Sequence, residues 1–420
     1  MARRCFPSIN TIYDNYEDRY MKPSLQVLLT FTLIILCTWL TCIMVPHRYI
    51  KGGLNPTDLQ NDPTSLKFNK TDSFTIVQFA DLHFGDSAEN DRKSKEVMFK
   101  IIQSESIVDF AVFSGDQVNG YSIWNVREII IAWNQALTPV ANHKIPFATI
   151  FGNHDDQPYY MEPTKTYNII KPITIIIAVF AAVVNLSHSK RKNVNTLVYT
   201  LLIAGIWCVY QVNPSKVLRN SIKSYESNWF TALSRTQRGQ SSLHGTSNYY
   251  IPVFSKNHRV LMFFLDTGGG RISESMMQTQ IEWVKTVSSE NDHPNAIAFF
   301  HIPSKEFSSV ANFNCIGDEE TEASIPFEGD AEYPMTSLAS AGIKAVFVGH
   351  DHRNSWCCIP KTKRFPMPSL CYGRHTGYGG YGDWKKGARI IQLGFDEASS
   401  FKIKTWLRME DGSVEMQGYI

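Results

Sequence analysis

No run or stripe of lysine and arginine dominates this 420-residue chain, apart from the short Lys190-Arg191-Lys192. Lys and Arg total 41 against 39 Asp and Glu, a formal charge of +2. That balance argues against a partner held by its phosphate backbone, and so against nucleic acid. No short-period repeat is visible, and no segment is biased enough in composition to count as disordered. The length leaves room for one large domain or two, with ample core. The triple glycine Gly268-Gly269-Gly270 lacks the spacing of a P-loop and reads as a loop that approaches something closely. Cysteine is scarce, 8 residues in all, with Cys315, Cys357, Cys358 and Cys371 gathered in the last third. Those four allow up to two disulfides in an oxidising compartment, or four reduced thiols elsewhere; the spacing does not fix a pairing.

The chain does contain a set of short, nearly continuous apolar runs that stop at polar residues. Phe74 to Ala80 ends in Asp81-Leu82-His83, and Phe110 to Gly115 ends in Asp116. Ile145 to Phe151 ends in Gly152-Asn153-His154-Asp155, Ala296 to Phe300 in His301, and Ala345 to Gly349 in His350-Asp351-His352. Runs rich in Val, Ile and Phe read as strands buried on both faces. Helical spacing over Lys93–Ser106, Trp124–Leu137 and Met276–Val287 makes the pattern one of parallel crossover units, an α/β fold. Ligands of such sheets sit outside the carboxyl ends of the strands. One Asp or His at a strand end is usually a turn or capping residue. Seven donors at five strand ends, all oxygen or imidazole and none thiolate, suit Zn, Mn or Fe in a two-metal site better than a structural zinc. His143, His188, His244, His258 and His293 lack such placement and read as ordinary loop or surface residues. In the glycine-aromatic stretch Gly373–Gly382, a candidate pocket rim, His375 reads as solvated and Tyr378 and Tyr381 as loop packing.

Residues 1–23 form a polar tail. Residues 24–45 carry no charge and are about long enough to cross a bilayer, without a small-residue cleavage site, so they are expected to be an uncleaved anchor. Arg3, Arg4, Arg19 and Lys22 before it, against Arg48 and Lys51 after it, place the N-terminus in the cytosol and the rest in a lumen or outside. Residues 46–73 read as a linker, with a glycosylation sequon at Asn69, and the main domain as 74–420. Residues 168–213 interrupt it with two apolar runs around a basic turn. They admit three readings: a hairpin re-entering the membrane over 169–212, a buried or interfacial helical insertion, or a segment foreign to the native product.

The ordered set Asp-x-His, Gly-Asp, Gly-Asn-His-Asp, His and Gly-His-x-His resembles the calcineurin-like metallophosphoesterase superfamily. Phe300-His301-Ile302-Pro303, Gly349 to His352 and Leu370 through Gly382 look most like its purple-acid-phosphatase-like branch of Dcr/type-29 proteins. The resemblance implies a four-layer α-β-β-α sandwich of two mixed sheets. It implies Asp81, His83, Asp116 and His352 around one metal, and Asp116, Asn153, His301 and His350 around the other, with Asp116 bridging. It further implies hydrolysis of phosphate esters by a metal-bridging hydroxide, with His154 as general acid and Asp155 orienting it. True purple acid phosphatases carry a tyrosine ligand where this chain has Asn119, so their colour is not expected and His83 fills that place. Action on phosphodiesters, in nucleotides or lipid head groups, is the nearest alternative. A silent membrane-anchored binding scaffold is the alternative of another class.

Overall fold

A computed structural model describes residues 65–123, 126–156, 214–292, 294–310, 313–317, 323–327, 331, 333–361 and 366–420. The tail, the proposed anchor at 24–45, most of the linker and the insertion at 168–213 lie outside these residues. Among the described residues no helix is long and apolar enough to cross a membrane.

Two mixed sheets carry the fold. The first holds six strands: β2 (Ser73–Phe79), β3 (Phe110–Ser114) and β4 (Phe147–Ile150) run parallel, and β12 (Gly387–Phe395), β13 (Phe401–Met409) and β14 (Val414–Tyr419) extend it antiparallel, in the order β14-β13-β12-β2-β3-β4. The second holds β1 (Leu66–Lys67), β5 (Tyr249–Phe254), β6 (Arg259–Phe264), β7 (Asn295–Phe299), β8 (Phe313–Ile316), β9 (Ile343–Val348), β10 (Cys357–Pro360) and β11 (Ser369–Tyr372). Its order is β1-β5-β6-β7-β9-β11-β10-β8, with β6, β7, β9 and β11 parallel. Strand β1 falls within the stretch read as linker; Leu66 is buried and pairs with Val253 of β5, so the domain starts before Phe74.

Alternation along the strands explains the packing. Phe74, Ile76, Phe110, Val112, Ala148 and Ile150 point one way and meet Tyr249, Val260, Met262, Phe264, Phe299 and Phe347 of the other sheet. The opposite faces of the six-stranded sheet, with Val77, Phe79 and Phe113, pack on α1 (Ala88–Ser104), α2 (Val126–Asn142) and α3 (Pro214–Trp229). The outer face of the eight-stranded sheet packs on α4 (Gln278–Glu290) and α5 (Pro334–Ser340). Each large apolar side chain buried this way contributes about 1.5–3 kcal/mol. The layers therefore run helices, sheet, sheet, helices.

The four late cysteines form two bridges, Cys357–Cys371 and Cys315–Cys358. Each joins residues directly opposite on neighbouring strands, and consecutive residues of β10 face opposite sides, so Cys357 reaches the core between the sheets while Cys358 reaches the outer one.

Candidate metal centre

Parallel strands β2, β3 and β4 end along one edge of their sheet, and β7 and β9 along one edge of theirs, which brings the polar residues after each strand together. Asp81, His83 and His352 have donor atoms within 4.8 Å of one another, and so do Asp116, His301 and His350. The Asp116 Oδ2 atom lies between the groups, 3.7 Å from His83 Nε2 and 3.2 Å from His301 Nε2. Asn153 belongs with the second group: its Oδ1 is 3.0 Å from His301 Nε2 and 3.1 Å from His350 Nδ1. All seven residues named from the sequence thus converge. Asn119 does not; its amide donates to Asp86 at 3.0 Å.

The backbone at these positions is unusual. Asp81, His83, Asp116 and His350 have φ of 55, 48, 54 and 76°, the left-handed region that side chains other than glycine rarely adopt. Such strain concentrates where surroundings over-determine a functional geometry. Gly152 serves a related need, since a Cβ there would meet Asp116 Oδ1 at 2.1 Å.

The donors suit cations. His301 Nδ1 donates to the Ser114 carbonyl at 3.0 Å, and His352 Nδ1 to the Tyr381 carbonyl at 2.9 Å. Those bonds turn the Nε2 atoms inward, the orientation a metal-bound imidazole has. His83 Nε2 and His352 Nε2 face each other at 3.1 Å. Burial lowers His350 to about 3 and His352 to about 4, and holds His83 well below its usual range, so all three are neutral acceptors at pH 7. Burial raises Asp81 to about 7. Burial also works against a charged His301, but the carboxylates of Asp116 and Asp81 outweigh it and lift that imidazole to about 10. The buried carboxylates of Asp81 and Asp116 call for positive charge beside them. Metal ions would supply it, and oxygen and imidazole donors without thiolate fit that use.

His154 stands at the rim, its side chain 26% exposed, with Nε2 3.9 Å from Asp116 Oδ2. Its ring meets His83 edge-on at 5.0 Å and the exposed Tyr121 at 4.6 Å between centroids. Asp155, expected to orient this imidazole, does something else. Its carboxylate accepts the backbone N–H of Gly152 (2.7 Å), Val118 (2.9 Å) and Asp116 (3.0 Å). Neighbouring side chains on this loop point apart, so Asp155 pins the backbone that carries Asp116 and Asn153 while His154 Nδ1 has no hydrogen-bond partner.

The stretch read as a pocket rim lies against the donors. Tyr381 stacks on His352, with centroids 3.9 Å apart and planes at 9°, and its hydroxyl accepts the His352 N–H at 3.1 Å. His375, expected in solvent, is buried 4.0 Å from the His352 ring; it lies 3.2 Å from both Lys386 Nζ and the Gly379 carbonyl. The glycines of 373–382 let that loop lie flat on the Asp81–His83 turn: a Cβ on Gly377 would meet the Leu82 carbonyl at 2.0 Å. Tyr378 packs as expected, its hydroxyl donating to Glu410 at 2.5 Å. On the other side of the donors, Arg219 of α3 is fully buried among carboxylates and carbonyls.

The family model of the calcineurin-like phosphoesterases matches residues 74–354. Among curated proteins the chain is 27% identical to "Probable inactive purple acid phosphatase 28" of Arabidopsis thaliana, over 92% of this chain and 93% of that protein. It is 24% identical to "Phosphatase DCR2" of Saccharomyces cerevisiae, over 84% of this chain but only 57% of that protein. Among solved structures, the purple acid phosphatase PPD1 from yellow lupin (Lupinus luteus) seeds superposes with a TM-score of 0.44 and 13% identity, over 83% of this chain and 53% of that one.

Proposed function

The chain belongs to the calcineurin-like phosphoesterase family, and from that premise we propose that it is a phosphatase with two metal ions, drawn from Fe, Zn and Mn. The observation that carries this reading is the convergence of seven side chains with oxygen or imidazole ligand atoms, with Asp116 between two groups. Asp81, His83, Asp116 and His352 would hold one ion; Asp116, Asn153, His301 and His350 the other. When bound, the ions supply Lewis acidity, which makes a nucleophile from water at neutral pH and offsets charge on the phosphate.

The chain's own groups do the rest. Asp116 sets the spacing of the two halves. His154, at the open rim, gives its proton to the leaving oxygen. Asp155 keeps the loop of both in register through its three backbone donors. The word "inactive" in a relative's name belongs to that relative; the complete donor set here supports an active enzyme over a silent scaffold. The two disulfides support a lumenal or extracellular domain. We propose that residues 24–45 anchor it to a membrane and that Asn69 is glycosylated. Asn69 Nδ2 donates to Asp109 at 2.9 Å, and a glycosylated amide keeps one hydrogen for that bond.

Metal-stripped protein reloaded with Mn, Zn or Fe is expected to hydrolyse an aryl phosphate monoester faster than the matching diester. Asp116→Asn is expected to lower kcat/KM by about 10³-fold or more, the scale of losing a group that governs charge at the reacting centre. Turnover unchanged by that substitution would sink the proposal; a preference for the diester would move it to the phosphodiesterases.

A further inference from the structure

Asn153 and His154 sit on a loop described as far as Asp156. After Asp156 the chain runs through residues 157–213 before α3 begins at Pro214. Among the described residues, buried side chains tie that end to α3. Arg219, from the second turn of α3, is 0% exposed. Its guanidinium donates to the Gly152 carbonyl at 2.8 Å and pairs with Asp156 at 3.1 Å, both on the Asn153 loop. It also donates to Asp266 Oδ1 at 2.9 Å and the Gly268 carbonyl at 3.2 Å, both on the triple-glycine loop. Its plane lies over the Phe151 ring, 5.0 Å from the centroid.

The triple-glycine loop holds none of the seven donors, yet it backs one of them. A Cβ on Gly269 would meet Asn153 Cα at 2.3 Å, and one on Gly270 would meet Asp156 Oδ1 at 2.6 Å. Asp266 is itself anchored, accepting the N–H of Thr246 at 2.7 Å and of Ser247 at 3.2 Å. One planar cation with a rigid fork therefore joins the donor loop to a fixed wall, a task that suits arginine and not lysine.

We propose that Arg219 is a positioning residue for the second metal: through Gly152 and Asp156 it holds Asn153 against His301 and His350. This rests on the two-metal reading above. Asn153 touches only the second group, so the effect is selective: Arg219 governs the Asn153/His301/His350 position and leaves Asp81, His83 and His352 alone. Fully buried ion pairs contribute little net stability but fix one arrangement over others.

The test is metal binding by the full chain, read by calorimetric titration with Zn or Mn, with anomalous scattering from crystals to assign each position. Wild type is expected to take two ions. Arg219→Met is expected to weaken the second by about 10–100-fold, the cost of losing a partner that orients a ligand, with the first within about twofold. Asp156→Asn keeps Arg219 paired with Asp266, so it is the second variant if Arg219→Met fails to fold, and it is expected to give the same selective loss at smaller size. Unchanged affinity at both positions overturns the proposal. So does equal weakening at both with a lower Tm, which would mark a purely structural role. Because the readout is binding, a wild type that takes up two ions without hydrolysing phosphate esters refutes the enzyme and leaves Arg219 testable; a wild type that takes up none refutes both.

Discussion

The two halves of the candidate centre use the same kinds of donor but are propped in different ways. The Asp81/His83/His352 half is walled by rings and bare backbone: Tyr381 stacks on His352, His375 sits behind it, and the glycines of 373–382 press on the turn that carries His83. The Asp116/Asn153/His301/His350 half is held by buried charge, with Arg219 between Asp156 and Asp266 and Lys223 one turn further along α3. Contact packing tolerates small changes gradually, because a lost ring leaves a cavity that its surroundings partly fill. A charge network does not, because each lost partner leaves another buried and unpaired. The first half should therefore yield by degrees and the second abruptly.

The largest way to probe this is at the rim of the second half. His154→Ala is expected to lower kcat by about 10²–10⁴-fold on an alkyl phosphate and much less on an aryl phosphate, whose leaving group needs no proton. Equal losses on both substrates would mean that His154 does not act as the acid. Next comes the stem of the first half, where Cys357–Cys371 bridges the strand after His352 to the strand leading into the glycine loop, 14 residues apart. Replacing both by alanine is expected to cost about 3 kcal/mol in chemical denaturation, with the second metal still bound in the native protein.

Tyr381→Ala removes the ring from His352 and is expected to weaken the first metal by about tenfold, sparing the second, the mirror image of Arg219→Met. Loss at the second position instead would dissolve the distinction between the halves. The last effect is read in stability against pH and belongs to Lys223, whose ammonium is buried and donates to the Thr246 carbonyl. Burial lowers it to about 7 from 10.5, against the pull of Asp266 and Glu226. Between those values the unfolded chain holds more protons than the folded one, so this group makes stability rise with pH. Relative to Lys223→Met, wild type is expected to gain up to about 1.4 kcal/mol per unit from pH 7 to pH 9. A constant difference in denaturant midpoints over that range would show that Lys223 is not held neutral.

The asymmetry also explains what could be read from residue order. Donors at the ends of β2, β3, β4, β7 and β9 were legible because buried strands leave uninterrupted apolar runs, and the polar residue that follows each run stands out. Arg219, Lys223 and Glu226 were not, since charges at i, i+4 and i+7 normally mark the solvated face of a helix; here that face is buried, and only the carboxylates and carbonyls opposite it reveal why. His375 was misplaced for a related reason. A histidine among five glycines reads as loop surface, yet bare backbone is what lets the loop lie against His83. Asp155 stands next to His154 in sequence, but adjacency along a tight loop does not put two side chains on one side.

Both halves take their last donor from one three-residue stretch, His350-Asp351-His352. Tyr372, buried, donates to Asp351 at 2.5 Å and steadies that stretch from the neighbouring strand. A shared keystone of this kind makes completion all-or-nothing along the growing chain: any product that stops before residue 350, by truncation or frameshift, lacks a ligand at both positions at once. Partial chains of this protein are then one ligand short at both positions together, and neither set is complete until residues 350–352 have been made.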